Sequence, residues 1–166
     1  MRDQVLQITP VGTRAVVHLK CWSPEPTLPT LLPAGLGGEI RVLNIGPGEW
    51  YVVSDRLDGP TLHERLARYL KDDDIAAADV TCGLKAVCVE GADARELLAR
   101  GCGLDLHPEH FPAGRCTRTR FAQLPVIVHC PEAGPRFDLY VGRSYVAYLQ
   151  SWLADAAMEF GGEGPR

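Results

Sequence analysis

Histidines and cysteines gather around one loop of the sequence, and their side chains are of the types that bind zinc. His107 and His110 lie close together, with Cys102 before them and Cys116 after them. Zinc takes imidazole nitrogen and thiolate sulfur as ligands. However, the spacing is irregular, and Pro108 opposes the helical face that a His-x-x-His pair would share. The sequence therefore favours ordinary loop histidines, with a metal site as the alternative.

Three arginines follow the same loop and could bind anionic groups. Arg118 and Arg120 would project from one face of a strand, and Phe121 from the other. Arginine forms bidentate pairs with carboxylates and is enriched at protein interfaces. A solvated sheet face, a partner contact and an anion site all remain open. For a partner contact, we predict that Arg115, Arg118, Arg120 and His107 take part.

Residues with the chemistry of a hydrolase are present but are not arranged as one. Ser144 follows Gly142 and Arg143 instead of standing in a G-x-S-x-G elbow, and we interpret it as a helix cap. Asp105 and Asp138 are isolated acids, and alternation predicts that Asp138 points away from the apolar layer of its strand. We therefore expect no catalytic, cofactor-binding or metal-binding residue in this chain.

Two further segments invite a ligand interpretation. Residues 34–38 (AGLGG) are rich in glycine, but a proline-rich stretch precedes them and a strand-like run follows. A dinucleotide loop must leave a strand and open a helix, so turn chemistry is preferred. Residues 72–74 are three aspartates without interspersed ligands, which indicates a solvated corner in preference to a calcium loop.

Composition limits the classes of function. Hydrophobic residues make up 46% of the 166 positions and charged residues 23%, as in an ordinary globular protein. The formal net charge of −4 argues against general nucleic-acid binding, and no apolar run reaches the length of a membrane helix. The first residues lack the apolar core of a signal peptide, so we expect a cytoplasmic protein.

The six cysteines are scattered and form no C-x-x-C pair. Several of them lie in apolar, strand-like runs, where a thiol behaves as a small hydrophobic group. We therefore expect reduced, mostly buried thiols, with redox or metal roles as the alternative.

Periodicity predicts strands that pair as hairpins, alternating with single helices. Helices are predicted from about residue 59 to 70, over residues 94–101, and from residue 144 to 160, where a single face carries aromatic and aliphatic side chains. Strands are predicted over residues 5–8, 15–19, 40–45, 50–54, 84–89, 115–121, 124–129 and 137–141. This order indicates an α+β fold with a mainly antiparallel sheet of hairpins and about three helices. We expect residues 1–166 to form a single domain, with residues 1–40 atypical and residues 161–166 frayed.

Four motifs, in order along the chain, resemble the gamma subunit family of heterotetrameric sarcosine oxidase. They are IGPGEW (45–50), GCGLDLHP (101–108), FP-x-G-x-C-x-x-TR (111–120) and FDLYV-x-RSY (137–145). The resemblance implies a fold related to the folate-binding domain of the glycine-cleavage aminomethyltransferase. It also implies membership of a complex that oxidatively demethylates sarcosine to glycine. In that family the cofactors FAD, FMN, NAD, tetrahydrofolate and zinc belong to other subunits, of the alpha, beta and delta types.

Two hypotheses follow from this resemblance. In the first, the chain is a non-catalytic subunit that serves the structure and assembly of such a complex. In the second, it is a stand-alone protein that binds folate or another one-carbon carrier. A variant of the first keeps the complex but changes the substrate to another N-methyl amino acid.

Overall fold

A computed structural model describes residues 5–22, 40–70, 74–132 and 134–161. Its strands are β1 (Gln7–Pro10), β2 (Ala15–Cys21), β3 (Ile40–Gly46), β4 (Glu49–Ser54), β5 (Ile75–Asp79), β6 (Leu84–Glu90), β7 (Cys116–Phe121), β8 (Leu124–His129) and β9 (Arg136–Gly142). The α-helices are α1 (Gly59–Tyr69), α2 (Ala94–Gly101) and α3 (Val146–Ala157). None of these helices combines the length and apolarity that a membrane crossing needs.

The chain divides into two compact units, one of which is the segment Thr13–Leu84. Its sheet has the strand order β3-β4-β2-β5, and the three neighbouring pairs are antiparallel. Helix α1 begins where the Asp58 carboxylate accepts a hydrogen bond from the Thr61 amide at 2.7 Å, with proline in the first turn. Leu62 and Leu66 of α1 are fully buried against the sheet. Burial of each leucine stabilises the unit by roughly 1.5–3 kcal/mol.

The other unit comprises the residues up to Gly12 and those from Lys85 onward. Its sheet has the order β1-β6-β9-β8-β7, so that β7 comes last among the described strands. The pairs β1–β6, β7–β8 and β8–β9 are antiparallel. Alternate residues of this sheet form one core with α2 and α3, whose buried leucines are Leu97, Leu98, Leu149 and Leu153.

The predicted class, an α+β fold with a mainly antiparallel sheet of hairpins and about three helices, is confirmed over the described residues, although their strands divide between two sheets. Strand β5 was not predicted from the sequence. Its segment, IAAAD, is rich in alanine, which favours strands weakly, and pairing with β2 determines its conformation. The expectations for the loop and glycine-rich segment of residues 23–39, and for Asp72 and Asp73, lie outside the described residues.

The last helix departs from the prediction at its start. Ser144 is not its cap: it lies in a 3-10 turn, Arg143–Tyr145, that runs straight into α3. The Val146 amide donates to the Arg143 carbonyl, so a backbone group replaces the expected serine hydroxyl. Tyr145 and Tyr148 belong to the aromatic and aliphatic face that the sequence predicts for this helix, but they are 45% and 50% exposed.

Candidate partner interface

The loop before β7 is organised by one aspartate. The Asp105 carboxylate accepts a hydrogen bond from the His107 amide at 2.9 Å and also contacts Nδ1 of His110. The His107 carbonyl accepts from the amides of His110 and Phe111, which closes the turn. The bond from the His107 amide lowers the pKa of the Asp105 carboxyl. The side chains of His107 and His110 remain 60% and 64% exposed.

This loop does not bring together the ligands that a zinc site needs. The ring centroids of His107 and His110 are 6.1 Å apart, and the Cys102 thiol donates to the Leu98 carbonyl at 3.5 Å. Across the described ranges, no group of three histidine, cysteine or acidic side chains could hold a metal ion. The aspartate instead uses both of its oxygens within the loop.

The three arginines follow on β7 and the residue before it, and all three are exposed. Arg118 and Arg120 alternate with Thr119 and with Phe121, which is fully buried in the core. One Arg120 nitrogen donates to the Gln123 side chain at 2.7 Å. The Arg115 guanidinium lies 6.0 Å from the centre of the Phe111 ring. The strand thus presents guanidinium groups on one face, in reach of carboxylates from outside.

The opposite face of β7 is held by close packing. The Phe121 ring meets Trp152 of α3 edge-on, with centroids 5.0 Å apart. Gly101, the last residue of α2, lies so close to this ring that a Cβ there would come within 2.5 Å of the Phe121 Cε2 atom. The Gly101 carbonyl also accepts from the Ala122 amide at 2.8 Å. These contacts fix the strand that carries the arginines.

The prediction that Asp138 points away from the apolar layer is only half right. It lies on the face opposite Phe137 and Leu139, as alternation requires, but it is fully buried. It stands directly across from His129 of β8, which is 3% exposed. The sequence pattern could not reveal this, because alternation says which face a residue uses but not whether that face is covered.

The cysteines are placed as structural groups. Burial raises the pKa of the Cys88, Cys102 and Cys130 thiols, and for Cys88 the Asp138 carboxylate adds to the effect. Burial also raises the pKa of Cys116 to about 11. Because the thiolate is the nucleophile and the metal ligand, these four thiols are poorly suited to either role.

The motif residues noted in the sequence occupy packing and turn positions. Gly101 allows the close approach of Phe121, Asp105 organises the loop, and Leu106 and Phe111 are buried in the core. Gly114 has a φ of +80°, which side-chain-bearing residues rarely adopt. The two motifs within residues 101–120 therefore describe how β7 is positioned.

Comparison with known families gives the same result as the motifs. The model of the sarcosine oxidase, gamma subunit family matches residues 13–159 of this chain. The chain belongs to that family.

Two curated gamma subunits illustrate the degree of similarity. The chain is 29% identical over 136 residues to sarcosine oxidase subunit gamma of Corynebacterium sp. strain U-96, an alignment that covers 78% of this chain and 64% of the relative. It is 28% identical over 123 residues to that of Corynebacterium sp. strain P-1, covering 74% and 59%. The chain thus spans less than two thirds of the length of these gamma subunits.

Solved structures show the fold. A chain of heterotetrameric sarcosine oxidase from Corynebacterium sp. U-96, in complex with pyrrole 2-carboxylate, superposes with a TM-score of 0.82 at 23% identity, over 98% of this chain and 88% of that one. Glycine cleavage system aminomethyltransferase T from Bartonella henselae gives a TM-score of 0.64 at 11% identity, over 92% and 46%. The predicted relation to the aminomethyltransferase fold is confirmed, and at these identities the likeness concerns the fold alone.

Proposed function

We propose that this gamma-family chain is a non-catalytic subunit that supports the structure and assembly of a hetero-oligomeric sarcosine oxidase. The complex would oxidatively demethylate sarcosine to glycine in the cytoplasm. Its partners would be alpha-, beta- and delta-type subunits, which would carry FAD, FMN, NAD, tetrahydrofolate and zinc. The observation that carries the proposal is the family match across residues 13–159.

The placement of the chemically capable side chains supports a structural role. The thiols of Cys88, Cys102, Cys116 and Cys130 have raised pKa values, and the Asp105 carboxylate is used within its own loop. Gly101, from one of the motifs, packs closely against Phe121 and so helps to position β7 and its arginines.

Within this proposal, Arg115, Arg118, Arg120 and His107 form the partner interface. All four are exposed, and they lie on β7 or on the loop that leads into it. Arginine on a rigid strand loses little freedom when it binds a carboxylate, because its planar group is pre-organised. The interface would therefore meet acidic side chains of a partner.

The test is a pull-down from the native host through an affinity tag on this chain. We expect large flavoprotein subunits to be recovered with it, visible as flavin absorbance, together with oxidation of sarcosine. A second N-methyl amino acid as the better substrate would retain the subunit role and change the reaction. Recovery of the chain alone, together with saturable micromolar folate binding in calorimetry, would instead support a stand-alone folate-binding protein.

Charge reversal tests the interface. We expect Arg118→Glu with Arg120→Glu to abolish co-elution with the flavoproteins in size exclusion, since the loss of such charge pairs costs about 2–5 kcal/mol. The control is Arg65→Glu with Arg68→Glu on the exposed face of α1. Each replacement changes the charge by −2, so both variants shift the formal net charge from −4 to −8. Loss of assembly in both, or in neither, would remove β7 from the interface.

A further inference from the structure

The turn between β7 and β8 has an unusual backbone for the residues that form it. Phe121 at the end of β7 pairs with Leu124 at the start of β8, so Ala122 and Gln123 form a two-residue turn. Their φ values are 48° and 71°, and a type I′ turn requires positive φ at both central residues. Among the described residues, these are the only two besides glycines with a positive φ. Such turns favour asparagine, aspartate and glycine, so alanine and glutamine here indicate backbone strain.

Ala122 has a packing reason for its conformation. It is 8% exposed and belongs to the core that the sheet shares with α2 and α3. Its amide donates to the Gly101 carbonyl at 2.8 Å, which ties the turn to the end of α2. A glycine at this position would leave the core without the methyl group. Packing therefore offsets the strain at Ala122.

Gln123 has no such packing reason, because it is exposed and lies outside the core. Within the described part of the chain, its one side-chain hydrogen bond joins it to Arg120, whose Nη2 atom donates to Gln123 Oε1 at 2.7 Å. Strained residues cluster at ligand clamps and other functional sites, where the strain is part of how the site works. The contact that Gln123 makes in this structure is the one that holds Arg120.

From these observations we infer that Gln123 is a positioning residue, which holds the Arg120 guanidinium ready to bind an acidic side chain of a partner subunit. The inference rests on the proposed function, which assigns Arg120 to the partner interface. It adds to that interface a residue, Gln123, that carries no charge and that sequence reasoning does not single out.

The hydrogen-bonding groups of the two side chains suit a carboxylate. A guanidinium has several N–H donors and no acceptor, and Gln123 uses only one of those of Arg120. Because the Gln123 oxygen accepts this bond, the NH2 group of its amide keeps its own donors. Bonds from a guanidinium to a carboxylate are about twice as strong as bonds between neutral groups. The pair therefore offers N–H donors and positive charge, which an acidic group satisfies.

Holding the arginine in advance strengthens binding through entropy. A free arginine side chain samples many rotamers, and a partner that binds it has to immobilise it. Immobilising one such side chain weakens association by about 3–10-fold. Part of this cost is met before the partner arrives, since Arg120 is already held in the free chain. The turn conformation brings Gln123 within reach of Arg120, three residues earlier in the chain.

The first test compares stability with assembly in the full chain. Gln123→Gly relieves the positive φ and removes the amide, so we expect its unfolding midpoint in urea to rise while its assembly with the flavoprotein subunits weakens by about 3–10-fold. A merely structural role for Gln123 would move stability and assembly in the same direction. For the measurement, wild-type and variant chains are co-expressed and compete for the partners. Mass spectrometry of the complex isolated by size exclusion then gives their ratio, relative to the free pool.

Gln123→Ala is the matched control. It also loses the amide but keeps a side chain at the positive φ, so its assembly should weaken as much as that of Gln123→Gly without the gain in stability. Variants that compete as well as the wild type for the partners would overturn the inference.

A charge variant tests the chemistry of the partner. Gln123→Glu keeps an oxygen that can accept from Arg120 but adds a negative charge. If the partner group is acidic, this variant should assemble more weakly than Gln123→Gly, because like charges repel across an interface. Far-UV circular dichroism checks that its fold is retained. Assembly as strong as that of the wild type would refute an acidic partner at this position.

A double-mutant cycle tests whether Gln123 acts through Arg120. In a chain that already carries Arg120→Ala, adding Gln123→Gly should cause no further loss of assembly. A further loss of about 3–10-fold would show that Gln123 acts independently, which overturns the positioning role.

The outcomes separate this inference from the proposed function. If no flavoprotein is recovered with the wild-type chain, the proposed function fails, and the positioning role fails with it because it needs a partner. If the complex forms and the Gln123 variants assemble like the wild type, the positioning role alone fails and the subunit role stands.

Discussion

Replacing Gly101 by alanine sets two physical effects against each other. Gly101 is the last residue of α2, and on helix propensity alone alanine would stabilise the chain by at most about 1 kcal/mol. In the structure, however, the new Cβ would lie 2.5 Å from Cε2 and 2.9 Å from Cδ2 of Phe121. Phe121 is fully buried and packed against Trp152, so its ring has little room to move.

The packing effect should prevail. Overpacking a well-filled core costs typically about 1–3 kcal/mol, so we expect a net destabilisation of about 0.5–2 kcal/mol. Urea denaturation of the wild-type and variant chains, followed by circular dichroism, measures this difference as a shift of the midpoint. The opposite sign, an alanine variant as stable as the wild type or more so, would refute the reasoning from packing.

Two further variants sharpen this test. Gly103→Ala is the matched control, because a Cβ at Gly103 would meet nothing within 4 Å. Its unfolding midpoint should change little. Phe121→Leu should relieve the clash in part, so the double variant with Gly101→Ala should be more stable than the sum of the single effects predicts. Additive effects would show that the two residues are not coupled.

Three other predictions concern pH, thiol reactivity and a turn. Hydrogen bonding from Arg41 lowers the pKa of Asp55 in the folded chain. The ionised Asp55 therefore stabilises the folded state above the unfolded pKa of about 4, and this stabilisation is lost as the pH falls through the folded pKa. Asp55→Asn should therefore lower the free energy of unfolding at neutral pH, by about 1 kcal/mol or less because the carboxylate is 46% exposed. It should also make the free energy of unfolding depend less on pH on the acid side. An unchanged dependence on pH would contradict this. In the native chain iodoacetamide should label the exposed Cys82 well before Cys116, because burial raises the pKa of Cys116 to about 11. Mass spectrometry measures the two labelling rates, and equal rates would count against the burial of Cys116. Gln123 has a φ of 71°, a backbone conformation that glycine adopts at lower cost than glutamine. Gln123→Gly should therefore raise the unfolding free energy by about 0.5–1 kcal/mol. A lower melting temperature would argue against backbone strain at this residue.

The sequence predicts most elements of the fold because local signals and packing agree there. In α1, a capping aspartate, a proline in the first turn and buried leucines at helical spacing all indicate the same helix. The turn between β3 and β4 contains Gly48 at a φ of 66°, and the glycine at this position predicts the turn from the sequence. The turn between β7 and β8 has no such signal, since Ala122 and Gln123 both adopt positive φ without glycine.

The sequence predicts which residues of the candidate interface are exposed, but it does not predict the packing contacts that hold β7 in place. Alternation on β7 correctly separates Arg118 and Arg120 from the buried Phe121. The close approach of Gly101 and the contact with Trp152 depend on tertiary packing, which no local pattern encodes. The place of β7 as the last of the described strands in its sheet likewise follows from tertiary pairing.

We propose that this chain contributes shape and contacts to a complex whose electron and carbon chemistry takes place on other subunits. This proposal is tested most directly by measuring sarcosine oxidation with the isolated chain and with the complex recovered through its tag. We expect turnover by the complex and none by the isolated chain at any concentration. Turnover of an N-methylated amine by the purified chain alone, without another protein, would contradict it.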